Sequence, residues 1–278
     1  MTHPYFDLSP PLVLGHRGAA GVAPENTLLS FERALELGAH ILESDVRTTA
    51  DDVPVLLHDE ALERITDGSG RIEDRTLAEV RELDAGYHFS IEDRGDPSWL
   101  PGPDDHFRGR GLRIPTLAEA FEAFPSARFN LELKARSPAL IADVVELVRE
   151  FDREALTLLT AGDDAIMEVL REEIHRSGTS PAIGASVADI LGVVQSALEG
   201  SPPPGDAMAL QIPPTFSGQP LATPELIAHS HLHAIQIHVW TINDEVEMNR
   251  LLELGVDGLV TDFPARAAVV AARHRAAR

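Results

Sequence analysis

Two spacings of apolar residues alternate along the chain. Short runs rich in β-formers recur at residues 12–14, 41–46, 129–133, 156–159, 182–184, 208–212, 235–240 and 258–260. Between them, apolar residues return at helical spacing. Over 137–151, Leu140, Val144, Leu147, Val148 and Phe151 fall on one stripe, and the run 245–254 stops at Gly255, a residue type that commonly ends helices. Strand and helix taking turns is the pattern of βα units on a parallel sheet. Eight such strands within about 250 residues predict an α/β fold of the closed (β/α)8, or TIM-barrel, type.

One stretch breaks the rhythm. After the apolar run 53–57, residues 59–113 carry a single helical segment, 76–83, followed by GYHFSIEDRGDPSWLPGPDDHFRGRG. A loop of this length and composition inside a compact domain is usually functional or disordered. The expected organisation is one barrel domain over 1–278, with an insertion at about 59–113 after the second strand. The insertion would hang over the C-terminal face of the barrel.

That face is where barrel strands present ligands, so the polar residues at strand ends carry the functional reading. The first strand runs into Gly15, His16 and Arg17. In the second, period-two alternation puts Glu43 and Asp45 on one face and Leu42, Ser44 and Val46 on the other. In the third, Leu131 and Leu133 pack against outer helices, which turns Glu132 and Lys134 into the barrel mouth. Three converging carboxylates repel one another unless one holds a proton or a cation binds among them. With carboxylate oxygens as donors, that cation would be Mg²⁺ or Ca²⁺. Taken singly, each acidic pair reads as solvated or Arg-paired acids; two inward-facing pairs on adjacent strands beside histidines reverse that reading.

His16 at the end of the first strand and His58 after 53–57 suit a general acid and a general base, because an imidazole titrates near neutrality. Arg17 and Lys134 add fixed positive charge at the same mouth, the environment a phosphate ester needs; ion pairing with Glu25, Glu43 or Glu132 is compatible with that role. Trp240 follows Gln236 and His238 on one strand face and suggests an apolar wall for substrate, with core packing as the alternative. His238, one step deeper, reads as a barrel-interior residue. His229, His231 and His233 have metal-like spacing but no strand-end context.

Composition narrows the classes. There are no cysteines, which removes thiolate catalysis, iron–sulfur clusters and sulfur-built zinc sites. The 44% hydrophobic content is that of a globular protein. Against 23 Lys and Arg stand 45 Asp and Glu, a formal charge of −22, which disfavours nucleic acid and anionic membrane as partners. No run approaches the roughly 20 apolar residues of a membrane span, and the N-terminus lacks the pattern of a signal peptide, so a cytoplasmic location is expected. A phosphate ester is also an anion. Its capture by so acidic a chain requires a local inversion of sign at the barrel mouth.

Six segments resemble the glycerophosphodiester phosphodiesterase family: GHRGAAGVAPENT (15–27), LESD (42–45), LLHDE (56–60), NLELK (130–134), HVWTIND (238–244) and GVDGLVTDFP (255–264). They occur in the family's order and cover most of the chain outside the insertion. The resemblance implies a (β/α)8 barrel with an insert after the second strand, and a divalent ion on Glu43, Asp45 and Glu132. It also implies His16 and His58 as the acid–base pair, and Arg17 and Lys134 on the phosphoryl oxygens. Asn26 would cap the first helix and Glu25 would support the site from behind. The implied reaction is attack of the substrate's glycerol 2-hydroxyl on phosphorus, giving a cyclic phosphate that water opens to glycerol 3-phosphate.

A close alternative is lysophospholipase-D-like cleavage of the same bond in a substrate that keeps an acyl chain; the segment TLAEAFEAFPSARFNLELK (116–134) resembles that branch. A metal-dependent sugar isomerase or aldolase would use carboxylates and histidines but would not need Arg17 and Lys134. A barrel that only binds phosphodiesters or a protein partner would not need the full set of acids and histidines.

Overall fold

The computed structural model describes residues 3–90 and 107–277, so residues 91–106 of the expected insertion lie outside the described residues. The strands are β1 (Leu12–Gly15), β2 (Ile41–Thr48), β3 (Pro54–Leu56), β4 (Arg128–Leu133), β5 (Thr157–Thr160), β6 (Ala182–Ile183), β7 (Ala209–Ile212), β8 (Thr215–Phe216), β9 (Gln219–Pro220), β10 (Gln236–Val239) and β11 (Gly258–Thr261). Eight of them run parallel in the order β6-β5-β4-β2-β1-β11-β10-β7, which bends into a nearly closed barrel. The expected closure is incomplete at one seam. β6 and β7 form no ladder, and Met208 N–H donating to the Ile183 carbonyl (2.8 Å) bridges them. The physical reason lies in β6: Pro181, which lacks an N–H, stands before it, and only two residues follow before Gly184.

Side chains alternate along each strand as the pleat requires. Inward, Leu12, Leu14, Ile41, Leu158, Ala182, Ala209 and Val260 meet Tyr5 in a buried apolar plug. Outward, Leu42, Val46, Leu131 and Leu133 pack under helices in one large cluster, and Leu210, Ile212, Ile237 and Val239 do so in another. The helices are α1 (Leu28–Glu36), α2 (Leu77–Val80), α3 (Leu117–Ala123), α4 (Pro138–Glu150), α5 (Asp164–Ser177), α6 (Val187–Glu199), α7 (Pro224–Leu232), α8 (Glu245–Leu254) and α9 (Pro264–Ala276). α4 buries Leu140, Ile141, Val144, Val145 and Val148, with Ser137 as its N-cap and Pro138 in its first turn, where a missing N–H costs nothing. Fully burying each such aliphatic contributes about 1.5–3 kcal/mol.

The described part of the expected insertion folds onto the barrel. β3 pairs antiparallel with the end of β2, so the run 53–57 makes a hairpin arm and not a barrel strand. Val55, Leu57, Leu62, Ile65, Ile72, Val80, Ala85 and Ile114 form a separate small core. The helix expected over 76–83 shortens to α2. Its start carries the Thr76–Glu79 capping box, but Asp84 N–H takes the Asp67 carboxylate (2.9 Å), and the Asp84 carboxylate accepts from the Gly86 and Gly109 amides, which ends the helix in a turn.

Candidate active site

The loop after β1 builds the first wall of the site. Gly18 has φ +89° and lies so close to Ser30 that a Cβ would stand 2.4 Å from its Oγ, so only glycine fits. The loop then folds back, with Asn26 N–H donating to the Arg17 carbonyl (2.9 Å). The expected cap of α1 shifts by one residue: Thr27 is the N-cap and accepts from Ser30 N–H. Asn26, at φ +55°, instead uses its amide to accept from Ser44 Oγ (2.7 Å) and to donate to Asp45 (3.3 Å). It ties the loop to β2 because its short polar side chain tolerates the left-handed region.

β2 and β4 supply the charged floor. Their register sets Glu43 opposite Asn130 and Asp45 opposite Glu132, all on the inner face. Glu43 accepts the Arg17 backbone N–H (2.9 Å). Lys134 Nζ stands 3.3 Å from Asp45 and 2.8 Å from Glu132, and Arg17 Nε stands 3.4 Å from the other Asp45 oxygen. Burial, reinforced by the Asp45 charge, holds the Glu43 carboxyl above its ordinary range. Burial alone would lower the Lys134 ammonium, but Asp45 and Glu132 outweigh it and raise it.

Each histidine is oriented by a carboxylate. His16 Nδ1 meets Asp262 Oδ1 at 2.7 Å, and Asp262 Oδ2 accepts from Asn243 Nδ2 (2.6 Å). Asn243 Oδ1 in turn accepts the Asp262 N–H and the Thr261 hydroxyl. Burial would depress the His16 pKa, yet the Asp262 hydrogen bond and the Glu43 and Asp262 charges outweigh it and raise it. His58 Nδ1 meets Asp59 Oδ1 at 2.6 Å. With both Nδ1 atoms engaged, each ring has Nε2 left for the pocket. Asp59 also accepts from Arg64 Nε, and Arg64 forks onto Glu25 with bonds of 2.7 and 2.6 Å. Glu25 accepts Arg17 Nη1 as well (2.8 Å). A chain of alternating charge thus runs Asp59, Arg64, Glu25, Arg17, Asp45, Lys134, Glu132, with His58 hydrogen-bonded to its Asp59 end. Burial would raise Glu25, but Arg64 and Arg17 hold it at about 2.

All eight residues singled out from the sequence, His16, Arg17, Glu43, Asp45, His58, Glu132, Lys134 and Trp240, line one cavity of about 240 Å³ at the C-terminal mouth. Asn130, Thr160, Gln211, Thr241 and Val260 complete it. Trp240 forms an exposed rim, 44% accessible. The donors are carboxylate oxygens, which suit a hard divalent cation; among the described residues no three His, Cys, Asp or Glu stand together as a metal-holding group. A wider cleft of about 720 Å³ lies at the other end of the barrel, around residues 202–208 and 231–236.

His238 is fully buried inside the barrel, and burial holds it at about 4. The two histidines of α7 and His233 at its C-cap do not converge on one point: His229 bonds Ser196, His231 bonds Asp257, and the His233 ring lies against His229. Asp262, Asn243, Arg64 and Gln211 were not singled out from the sequence. Gln211 was legible by alternation, since outward Leu210 and Ile212 flank it. Arg64 gave no signal, because its partner Glu25 is 39 residues away.

The glycerophosphoryl diester phosphodiesterase family model matches residues 16–266. A glycerophosphodiester phosphodiesterase of Caldanaerobacter subterraneus subsp. tengcongensis is 29% identical over 261 residues, covering 91% of this chain and 94% of that protein. The human lysophospholipase D GDPD1 is 29% identical over 282 residues, covering 91% and 83%. Among solved structures, an Oleispira antarctica phosphodiesterase in complex with the product sn-glycerol-3-phosphate superposes with a TM-score of 0.75 at 27% identity, covering 96% of this chain and 98% of the other.

Proposed function

The chain belongs to the glycerophosphoryl diester phosphodiesterase family, and from that premise we propose that it is a metal-dependent hydrolase that cleaves glycerophosphodiesters such as glycerophosphocholine to glycerol 3-phosphate and an alcohol. The observation that carries this reading is the gathering of two carboxylate-oriented histidines, three acids and two cations around one cavity. His16 and His58 act as the acid–base pair through Nε2. One accepts the proton of the glycerol 2-hydroxyl as that oxygen bonds to phosphorus; the other gives a proton to the alcohol as its P–O bond breaks. Water then opens the cyclic phosphate with the two roles exchanged. Arg17 and Lys134 hold phosphoryl oxygens by charge-assisted hydrogen bonds. Glu43, Asp45 and Glu132 would hold one Mg²⁺ or Ca²⁺. Bound there, such an ion would supply charge neutralisation at the phosphoryl oxygens and a lowered hydroxyl pKa.

Two features support the metal reading: the donor set is all oxygen, and the Glu43 carboxyl is raised by burial and, after it, by the neighbouring Asp45 charge, a strain that a bound cation would relieve. The purified protein is expected to release glycerol 3-phosphate from glycerophosphocholine, to stop on EDTA and to resume on added Mg²⁺ or Ca²⁺. His16→Ala and His58→Ala are each expected to lower kcat by about a hundredfold or more. Turnover unaffected by either substitution would sink the acid–base assignment.

Exposed Trp240 on the rim supports a second reading, cleavage of the same bond in a lysophospholipid to yield lysophosphatidic acid. The cavity fits a glycerophosphate but not an acyl chain, which would have to leave across Trp240. A panel of diesters with and without acyl chains separates the two.

A further inference from the structure

The cavity has two unlike sides. Its β2 and β4 side carries the ion pairs described above. Its opposite side is neutral, formed by Thr160, Gln211, Trp240, Thr241 and Val260. At the cavity floor three polar atoms are buried without a hydrogen-bonding partner among the described residues: Asn130 Oδ1 and both carboxamide atoms of Gln211. Asn130 is 3% exposed. The Thr160 hydroxyl spends its hydrogen on the Ala185 carbonyl (3.2 Å), so it donates to neither amide oxygen. Gly184 lets the Gln211 carboxamide lie close: a Cβ there would stand 2.9 Å from Gln211 Oε1 and 2.6 Å from Thr160.

A buried amide left unmet costs stability, and an apolar side chain would fill the same space more cheaply. Groups of this kind point to a ligand that meets them. A phosphate meets them poorly: it can take the Gln211 N–H, but the Asn130 and Gln211 amide oxygens repel phosphoryl oxygens, and among the described residues no cation lines the neutral side. A hydroxyl both donates and accepts, and so satisfies an amide oxygen and a carboxamide N–H alike.

We propose that Asn130 and Gln211 bind the hydroxyls of the glycerol half of the substrate and make the enzyme selective for a hydroxylated phosphoester over a plain alkyl one. The assignment rests on the phosphodiesterase reading of the site. It fixes direction as well: the glycerol lies inward over the amides, and the variable alcohol points outward past Trp240.

The test compares inhibition by glycerol 3-phosphate with inhibition by propyl phosphate, which has the same carbon chain and no hydroxyls. The wild-type, metal-loaded enzyme is expected to bind glycerol 3-phosphate about tenfold tighter, the factor that one or two neutral hydrogen bonds carry. In Gln211→Met and Asn130→Leu that ratio is expected to fall toward one, with propyl phosphate affinity nearly unchanged. Ligand-free Gln211→Met is expected to unfold at or above the wild-type temperature, because it removes unmet polar atoms. A wild-type ratio near one overturns the proposal. So does equal weakening of both ligands, or a marked loss of thermal stability in Gln211→Met, which would assign the amide to structure. Absence of any glycerophosphodiester turnover by the wild type sinks the functional reading itself, whereas turnover with an unchanged ratio in the variants sinks only this inference.

Discussion

His16 shows how much one residue depends on others distant in the chain. Its Nδ1 is held by Asp262 at 2.7 Å, and Asp262 is held by Asn243. This fixes the tautomer that presents Nε2 and stabilises the imidazolium once it forms. Asp262→Asn is therefore expected to lower kcat by roughly a hundredfold with little change in KM, and to shift down whichever limb of the rate profile His16 sets, as His16 loses the charge that raises its pKa. An unaltered profile would leave Asp262 a bystander. Glu25 makes a second residue-scale case. Its pKa falls from 4.5 to about 2 in the folded chain, so its contribution is complete above pH 4.5 and is lost as the pH falls toward 2. The linkage is of order 3 kcal/mol. Glu25→Gln is expected to lower Tm at pH 7, with the gap to wild type closing through that acidic window; a gap constant with pH would refute the linkage. His16, Glu43, Asp45 and Glu132 were legible because each sits at a strand end with known alternation. Asp262 and Arg64 were not, because their meaning is a contact across 246 and 39 residues.

At the scale of elements, local rules did most of the work. β2 alternates as its sequence demands, sending Leu42 and Val46 into the outer core and Glu43 and Asp45 inward. α8 stops at Gly255 in the left-handed conformation, as a helix C-terminus should. The local rules failed where tertiary hydrogen bonds outbid them. Asn26 was expected to cap α1, but its amide is committed to Ser44 and Asp45, and Thr27 takes the cap. Thr27→Ala is expected to destabilise the protein by about 1 kcal/mol, and by about 2–3 °C in Tm for a chain of this size. If Asn26→Ala proved the larger capping loss by hydrogen exchange in α1, the assignment would be reversed. The hairpin of β2 and β3 also escaped the periodic reading. Its function is positional: it carries His58 and Asp59 back to the mouth beside Arg64.

At the scale of the whole molecule, the −22 charge sets a constraint on any anionic substrate. The long-range field repels it, and only Arg17, Lys134 and the proposed cation reverse the sign inside the cavity. Raising ionic strength from about 0.02 to about 0.2 M shortens the Debye length below the molecular radius, so kcat/KM is expected to rise with salt. A fall would mean that the pocket's own cations govern encounter. No helix among the described residues is long and apolar enough to cross a membrane. The sequence by itself determined the barrel, the strand faces and which acids and histidines reach the mouth, because pleat and helix periodicity are local properties of the chain. Only the tertiary structure decided the open β6–β7 seam, the carboxylates that orient each histidine, the charge chain through Arg64, and the unmet amides of Asn130 and Gln211. Those depend on which strands close beside each other and on what burial leaves without a partner, and neither is a property of any single segment.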